Sequence, residues 1–347
     1  MSAATVGDRL TMYEPERSLA SFPHMHEIYA SRAVPCGPQV RLLDGRAVRA
    51  VELPERALGL VLLQHGEVVA EAYANGAGPT DLLPSFSLAK SVVSTLVATL
   101  VRDKLVALGD DLADRVPELR STAFAGVSVR DALQMRSGVA FHEDYEDDAG
   151  DARPFWFGAL AEHAHDQLSY VRRLARAHEP GAVFNYAGCD TFALGLLVRA
   201  STGLTLSAAL SERVWVPAGM EADARFLIDA PGATGVEPAY AGLCARLCDY
   251  ARFGQLHLDR PELLPAGWVE AATEGSPTES GFGYGYQWWR PDPERQAFTG
   301  LGVFGQFLWI DPAADAVCVL ASAWPSPGDE DREAGAIACI EALIAEL

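Results

Sequence analysis

The 347-residue chain carries 27 basic and 47 acidic side chains, for a formal charge of −20. That charge opposes nucleic acid or an anionic membrane as a partner, and no apolar run reaches the length of a membrane span. The polar, mixed-charge start from Met1 to Ser18 lacks the basic-then-apolar pattern of a signal peptide, so a cytoplasmic protein with reduced cysteines is expected.

Near the start, His24 and His26 form one His-x-His pair, and His163 and His165 form another. Neither has an acidic or cysteine ligand pattern beside it, and Cys244 with Cys248 has no second pair to complete a zinc site. Surface histidines, no metal and no cofactor are expected.

Residues 58–75 read as a β-hairpin, with Leu60 to Leu63 outbound, His65-Gly66-Glu67 turning and Val68 to Tyr73 returning. From about 85 to 258 the pattern is mostly helical, with candidate helices at 87–104, 128–136, 190–201, 206–213 and 245–258. After about 281 it returns to β. Gly281 to Trp289 alternates small and aromatic residues, and Gln306–Ile310 with Val317–Ala321 flanks an Asp311-Pro312 turn. Glu333 to Leu347 closes the chain as an apolar-striped helix.

Strands at both ends and helices between predict an α+β fold. Residues 1–84 and 259–347 would build one antiparallel sheet flanked by terminal helices, and 85–258 an inserted, mostly helical lobe. The site is expected in the cleft between the two.

Of the 27 basic side chains only Lys90 and Lys104 are lysines, and Lys90 stands three residues after Ser87 in Pro84-Ser85-Phe86-Ser87-Leu88-Ala89-Lys90-Ser91. Arginine stays protonated at any working pH, whereas a lysine can be tuned to release its proton. With Ser85 or Ser87 capping a helix, Ser87 and Lys90 share one face with Cβ atoms about 5–6 Å apart, and the lysine leans back over the serine. The helix N-terminus and burial both disfavour the ammonium, so a neutral Lys90 that accepts the Ser87 proton is expected. The plainer reading is a capping serine followed by a lysine whose head reaches solvent.

Ser-Phe-Ser-Leu-Ala-Lys-Ser resembles the active-site start of class C β-lactamases and their serine-hydrolase relatives. Pro180-Gly181-Ala182-Val183-Phe184-Asn185-Tyr186-Ala187-Gly188 resembles the second element of that family, whose tyrosine relays a proton to the leaving group. Phe298-Thr299-Gly300-Leu301-Gly302-Val303-Phe304 stands where the family has its third element, without the usual lysine or histidine, which argues against a β-lactam substrate. Met135 to Asp147, Cys248 to Gly254, Tyr284 to Trp289, Gly305-Gln306 and Ser322 to Pro325 are similar to the 6-aminohexanoate-dimer hydrolase and carboxylesterase branch.

The resemblance implies a β-lactamase/transpeptidase-like fold with Ser87, Lys90 and Tyr186 catalytic. It puts the peptide N–H groups of Ser87 and Val303 in the oxyanion hole. It also implies that Tyr145 closes over a bound amide, with Gly302 admitting the substrate backbone. The acidic run Glu143–Asp151 and the following Pro154-Phe155-Trp156-Phe157 would form either a mobile lid, making Trp156 a substrate contact, or a solvated acidic loop with an aromatic plug.

The expected activity is hydrolysis of a small linear amide or carboxylic ester through an acyl-enzyme on Ser87, with a substrate amine favoured by the acidic surface. Two alternatives stay open. One is an acyltransferase, in which an amine or alcohol replaces water; the other is a non-catalytic binding protein on the same fold. No Gly-x-Ser-x-Gly elbow or phosphate-binding Gly-Lys loop offers a different chemistry.

Overall fold

The hairpin at 58–75 forms as expected, with His65 and Gly66 at φ 52° and 76° in a tight two-residue turn. The computed structural model describes residues 4–45, 49–145, 147, 149–259, 261–278, 280–292 and 294–347. Met1 to Ala3 of the polar start, and Glu146 and Asp148 of the acidic run, lie outside the described residues.

In chain order the strands are β1 (Ser31–Val34), β2 (Ala57–Gln64), β3 (Glu67–Tyr73), β4 (Leu83–Pro84), β5 (Ala224–Leu227) and β6 (Leu243–Ala245). They continue with β7 (Ser276–Pro277), β8 (Gly283–Tyr284), β9 (Trp289–Arg290), β10 (Phe298–Gly302), β11 (Gln306–Asp311) and β12 (Ala316–Ser322). Eight of them make one antiparallel sheet in the order β3-β2-β12-β11-β10-β9-β8-β7.

The run Leu60 to Leu63 is apolar throughout because both faces of this sheet are covered. Leu60 and Leu62 join Ile340 and Ile344 of the Glu330–Ala345 helix, while Val61 and Leu63 join Phe253 and Leu256 of the Leu247–Asp259 helix. A smaller antiparallel sheet has the order β1-β5-β6-β4. It joins residues 31–34 and 83–84 to strands within 85–258, so main-chain hydrogen bonds cross the lobe boundary drawn at 84/85. The Leu247–Asp259 helix, assigned to the helical lobe, packs on the large sheet.

The helix expected at 87–104 runs from Ala89 to Arg102, after a tight 3₁₀ turn at Phe86–Leu88. Neither serine caps it. Every residue from Ala89 to Leu100 is buried, which suits a sequence whose only charge in that span is Lys90. Three of its hydroxyls are satisfied locally or across the fold: Thr95 donates to Ser91 O at 3.0 Å, Thr99 to Leu96 O at 2.7 Å, and Ser91 to Gln287 O at 2.7 Å.

Other elements differ from expectation for local reasons. The helix at 128–136 stops at Leu133, two residues before Met135 takes φ 55°. The helix at 206–213 ends at Leu210 and widens into a π-turn over Ser211–Trp215. The alternation from Gly281 to Trp289 yields two short strands rather than one. Between them Gln287 sits at φ 64°, its side chain donating to Ala132 O and Leu133 O at 3.0 Å each and accepting from Thr191 Oγ1 at 2.6 Å.

The histidine pairs lie in helical turns or loops rather than strands. His26 and His165 are half-buried instead of solvated, and only His24 and His163 are exposed. All six cysteines are free. Among the described residues no single helix is long and apolar enough to cross a membrane, and no cluster of His, Cys, Asp or Glu could hold a metal ion.

Gly302 ends β10 where the strand passes Ser85, just before the expected nucleophile. A Cβ there would collide with the Ser85 carbonyl oxygen, a backbone atom that cannot swing aside. Gly302→Ala is expected to destabilise the protein by about 1–3 kcal/mol, read as a lower urea midpoint. A wild-type midpoint would show that β10 does not need this close approach.

Candidate active site

The 3₁₀ turn at Phe86–Leu88 and the first turn of the Ala89–Arg102 helix place Ser87 and Lys90 together. Lys90 Nζ donates to Ser87 Oγ at 2.8 Å, with the serine 7 % and the lysine 1 % exposed. The plainer reading of a lysine with a solvated head therefore fails. Phe86, at φ 43°, holds a left-handed conformation that a non-glycine residue rarely adopts. Phe304, next to Val303, does the same at φ 63°.

The two strained residues lean on each other, with ring centroids 5.2 Å apart, and both pack against Phe22 and Tyr13. This aromatic cluster fixes the backbone on either side of the Ser87 and Val303 peptides, which line one cavity. The preceding part of β10 turns away from it, since Phe298, Thr299 and Gly300 are buried and Gly300 faces Ser91 Oγ. Gly302 lies against Ser85, outside the cavity wall.

Tyr186 comes from the loop before the Gly188–Thr202 helix. Lys90 Nζ sits 4.5 Å from its ring centroid, and the ring packs against Tyr284 and Trp289. Burial raises the Tyr186 pKa, while Lys90, and hydrogen bonding to Ser87 and Lys90, partly oppose the rise. The tyrosine is therefore a neutral hydroxyl at neutral pH.

One central residue was missed in the sequence reading. Glu143, only 4 % exposed at its side chain, lies 3.4 Å from Lys90 Nζ. Its Oε1 accepts from Tyr145 OH at 2.8 Å, and its Oε2 accepts from the backbone N–H of Gly188. The acidic run therefore begins with a buried counter-ion rather than a solvated charge. The sequence carried a signal, because residues two apart share one side wherever the chain is extended, and Glu143 and Tyr145 have that spacing.

This counter-ion overturns the expected charge state of Lys90. Burial alone disfavours the ammonium, but Glu143 and then Tyr186 outweigh it, and the pKa lies above the ordinary lysine value. At neutral pH the resting site holds Lys90 as an ammonium.

The segment carrying Glu143 is registered on the segment carrying Tyr186. Asn185 Nδ2 donates to Phe141 O at 3.0 Å, and Ser137 Oγ donates to Asp190 Oδ1 at 2.6 Å. Burial pushes the Asp190 carboxyl up to about 7, against the hydrogen bonds from Ser137 that favour its charged form.

Tyr145 lines the catalytic cavity, but its hydroxyl is committed to Glu143. Trp156 lines the same cavity, and its indole N–H donates to Tyr13 OH at 2.9 Å. Ser87, Lys90, Tyr186, Val303, Tyr145 and Trp156 are thus brought to one place, and Gly302 supports it from behind.

The family described as Beta-lactamase matches residues 50–342. A 6-aminohexanoate-dimer hydrolase from Paenarthrobacter ureafaciens is 30% identical over 321 residues, covering 85% of this chain and 81% of its own. Among solved structures, a Bacillus anthracis protein provisionally named a 6-aminohexanoate-dimer hydrolase is similar at a TM-score of 0.84 and 25% identity, over 97% of this chain and 96% of that one. A D-stereospecific amidohydrolase from Streptomyces sp. matches at a TM-score of 0.62 and 19% identity, over 82% and 93% of the two chains, a likeness of fold.

If free Lys90 amine is the working base, kcat/KM rises with pH as the raised Lys90 pKa is approached, because the ammonium form below it cannot accept a proton. Glu143→Gln removes the anion and leaves burial, which lowers that pKa. The acidic limb of the pH profile is then expected to move down by about one unit or more. An unshifted limb would remove Glu143 from control of Lys90.

Proposed function

The chain belongs to the beta-lactamase family as a serine hydrolase, and on that footing we propose that it cleaves small amides or carboxylic esters through an acyl-enzyme on Ser87. The observation that carries this reading is the buried 2.8 Å contact from Lys90 Nζ to Ser87 Oγ at the wall of a cavity. Amide cleavage is favoured by the likeness to the 6-aminohexanoate-dimer hydrolase over most of both chains.

The reaction begins when substrate displaces water from the cavity. The productive site is one in which Lys90 has already released its proton to solvent, against the hold of Glu143 at 3.4 Å. The free amine accepts the Ser87 proton as Oγ attacks the carbonyl carbon. Negative charge develops on the carbonyl oxygen, which the N–H groups of Ser87 and Val303 receive. Collapse of this intermediate breaks the bond to nitrogen or oxygen, and Tyr186 donates its hydroxyl proton to the leaving group. Lys90 restores the tyrosine proton, and water repeats the sequence on the acyl-enzyme.

The test is intact mass after a fluorophosphonate, followed by turnover of aryl esters and linear amides. One adduct is expected, on Ser87, absent in Ser87→Ala and Lys90→Ala. An adduct persisting in Ser87→Ala would sink the mechanism. Tyr186→Phe is expected to fold normally and lose on the order of 100-fold or more in kcat; a wild-type rate would remove the tyrosine from the relay. For Tyr145→Phe, amide hydrolysis is expected to fall more than ester hydrolysis, and equal losses would count against a role near the scissile nitrogen.

A further inference from the structure

Two cavities meet beside Ser87, and their walls differ in chemistry. The inner one, about 200 Å³, is lined by Ser87 and Val303 and by the rings of Phe141, Phe155, Trp156 and Phe304. The outer one is wider, about 880 Å³, and includes Tyr186, Asp144, Asp329, Glu330 and Glu333 in its wall. Glu143 and Tyr145 lie between them and border both.

This arrangement assigns the two halves of a substrate. The attacking oxygen and the oxyanion donors face the inner cavity, while Tyr186, which protonates the leaving group, faces the outer one. The acyl group therefore occupies the inner cavity, and the leaving group departs through the outer.

Among the described residues the inner cavity has no carboxylate to spare for a substrate ammonium. Its one acidic wall residue, Glu143, already holds Lys90, Tyr145 and the Gly188 N–H. The cations nearby are Lys90 and Arg153, the latter an exposed side chain with its guanidinium 5.5 Å from the Phe157 ring centroid. An ammonium on the acyl chain would lose its hydration with no partner in return, and a carboxylate would find in the wall only the solvent-exposed Arg153. By size, a cavity of about 150 Å³ takes a benzene ring, so 200 Å³ suits a phenylacetyl or hexanoyl group.

The far end of this cavity is closed by Tyr13 and Phe157, whose rings meet edge-on at 5.3 Å. Tyr13 is held in place by Trp156 Nε1 at 2.9 Å and by Tyr29 OH at 3.0 Å. Behind the pair lies a second depression, bordered by Leu10, Tyr13, Arg153, Phe157 and Glu162.

We propose that this enzyme selects esters and amides with an uncharged, apolar acyl group of aryl or medium-chain size, and that Tyr13 and Phe157 set the length limit. The proposal rests on the serine-hydrolase reading above. For the acyl half it departs from the expectation that the acidic surface favours an amine on the substrate.

The experiment compares hexanoyl, 6-aminohexanoyl and adipoyl p-nitroanilides, with p-nitrophenyl esters from acetyl to dodecanoyl as a length series. The hexanoyl anilide is expected to exceed both charged analogues in kcat/KM by on the order of 100-fold, and the ester series to peak near six carbons. Phe157→Ala, and the milder Phe157→Leu, are expected to join the cavity to the depression behind it and raise the dodecanoyl-to-hexanoyl ratio at least about tenfold. The proposal is overturned if either charged anilide matches the hexanoyl one, or if the ratio stays fixed in both Phe157 variants. The acetyl ester separates the two levels of the argument. Its hydrolysis with acylation of Ser87 supports the serine mechanism whatever the length series shows, whereas no acylation by any ester rejects the mechanism and the acyl pocket together.

Discussion

The site depends on one buried charge pair. Lys90 sits on a helix that is buried on every side, so its ammonium has no water to turn to. Glu143 supplies the compensating charge from a loop distant in sequence, and such a pair persists only if its remaining hydrogen-bonding capacity is met. Tyr145 and the Gly188 N–H meet it for the carboxylate, and Ser87 Oγ accepts a hydrogen bond from the ammonium. The nucleophile, its base and the tyrosine loop are thereby bound into one network.

Strain is concentrated at the same place. Phe86 and Phe304 both hold left-handed backbone conformations, one beside Ser87 and the other beside Val303. Such conformations persist where surrounding packing over-determines them, and here the packing is a cluster of rings that includes Phe22 and Tyr13. The N-terminal segment therefore takes part in the site. It braces the backbone beside Ser87 and Val303 and, through Tyr13, lines the cavity they share.

Much of this was legible from short-range patterns. Ser87 and Lys90 are three residues apart on one turn, and that local relation survives any tertiary arrangement. The 58–75 hairpin and the C-terminal helix carry period-2 or helical patterns long enough to stand alone, although the helix begins a turn early, at Glu330. The smaller sheet was not legible. Its strands at 31–34, 83–84, 224–227 and 243–245 hold two to four residues each, and their partners lie up to about 200 positions away. Such short strands are stabilised by their neighbours rather than by their own composition.

The amino-acid sequence by itself determined the α+β class and singled out Ser87, Lys90 and Tyr186, because each is written in a local motif. Only the tertiary structure decided the charge state of Lys90. Burial and a counter-ion pull its pKa in opposite directions, and which one wins depends on a 3.4 Å distance between residues 53 positions apart. The same holds for the acyl pocket. Its rings come from five separate stretches, around Tyr13, Phe86, Phe141 to Phe157, Tyr240 and Phe304, and no pattern along the chain reveals which of them enclose a cavity.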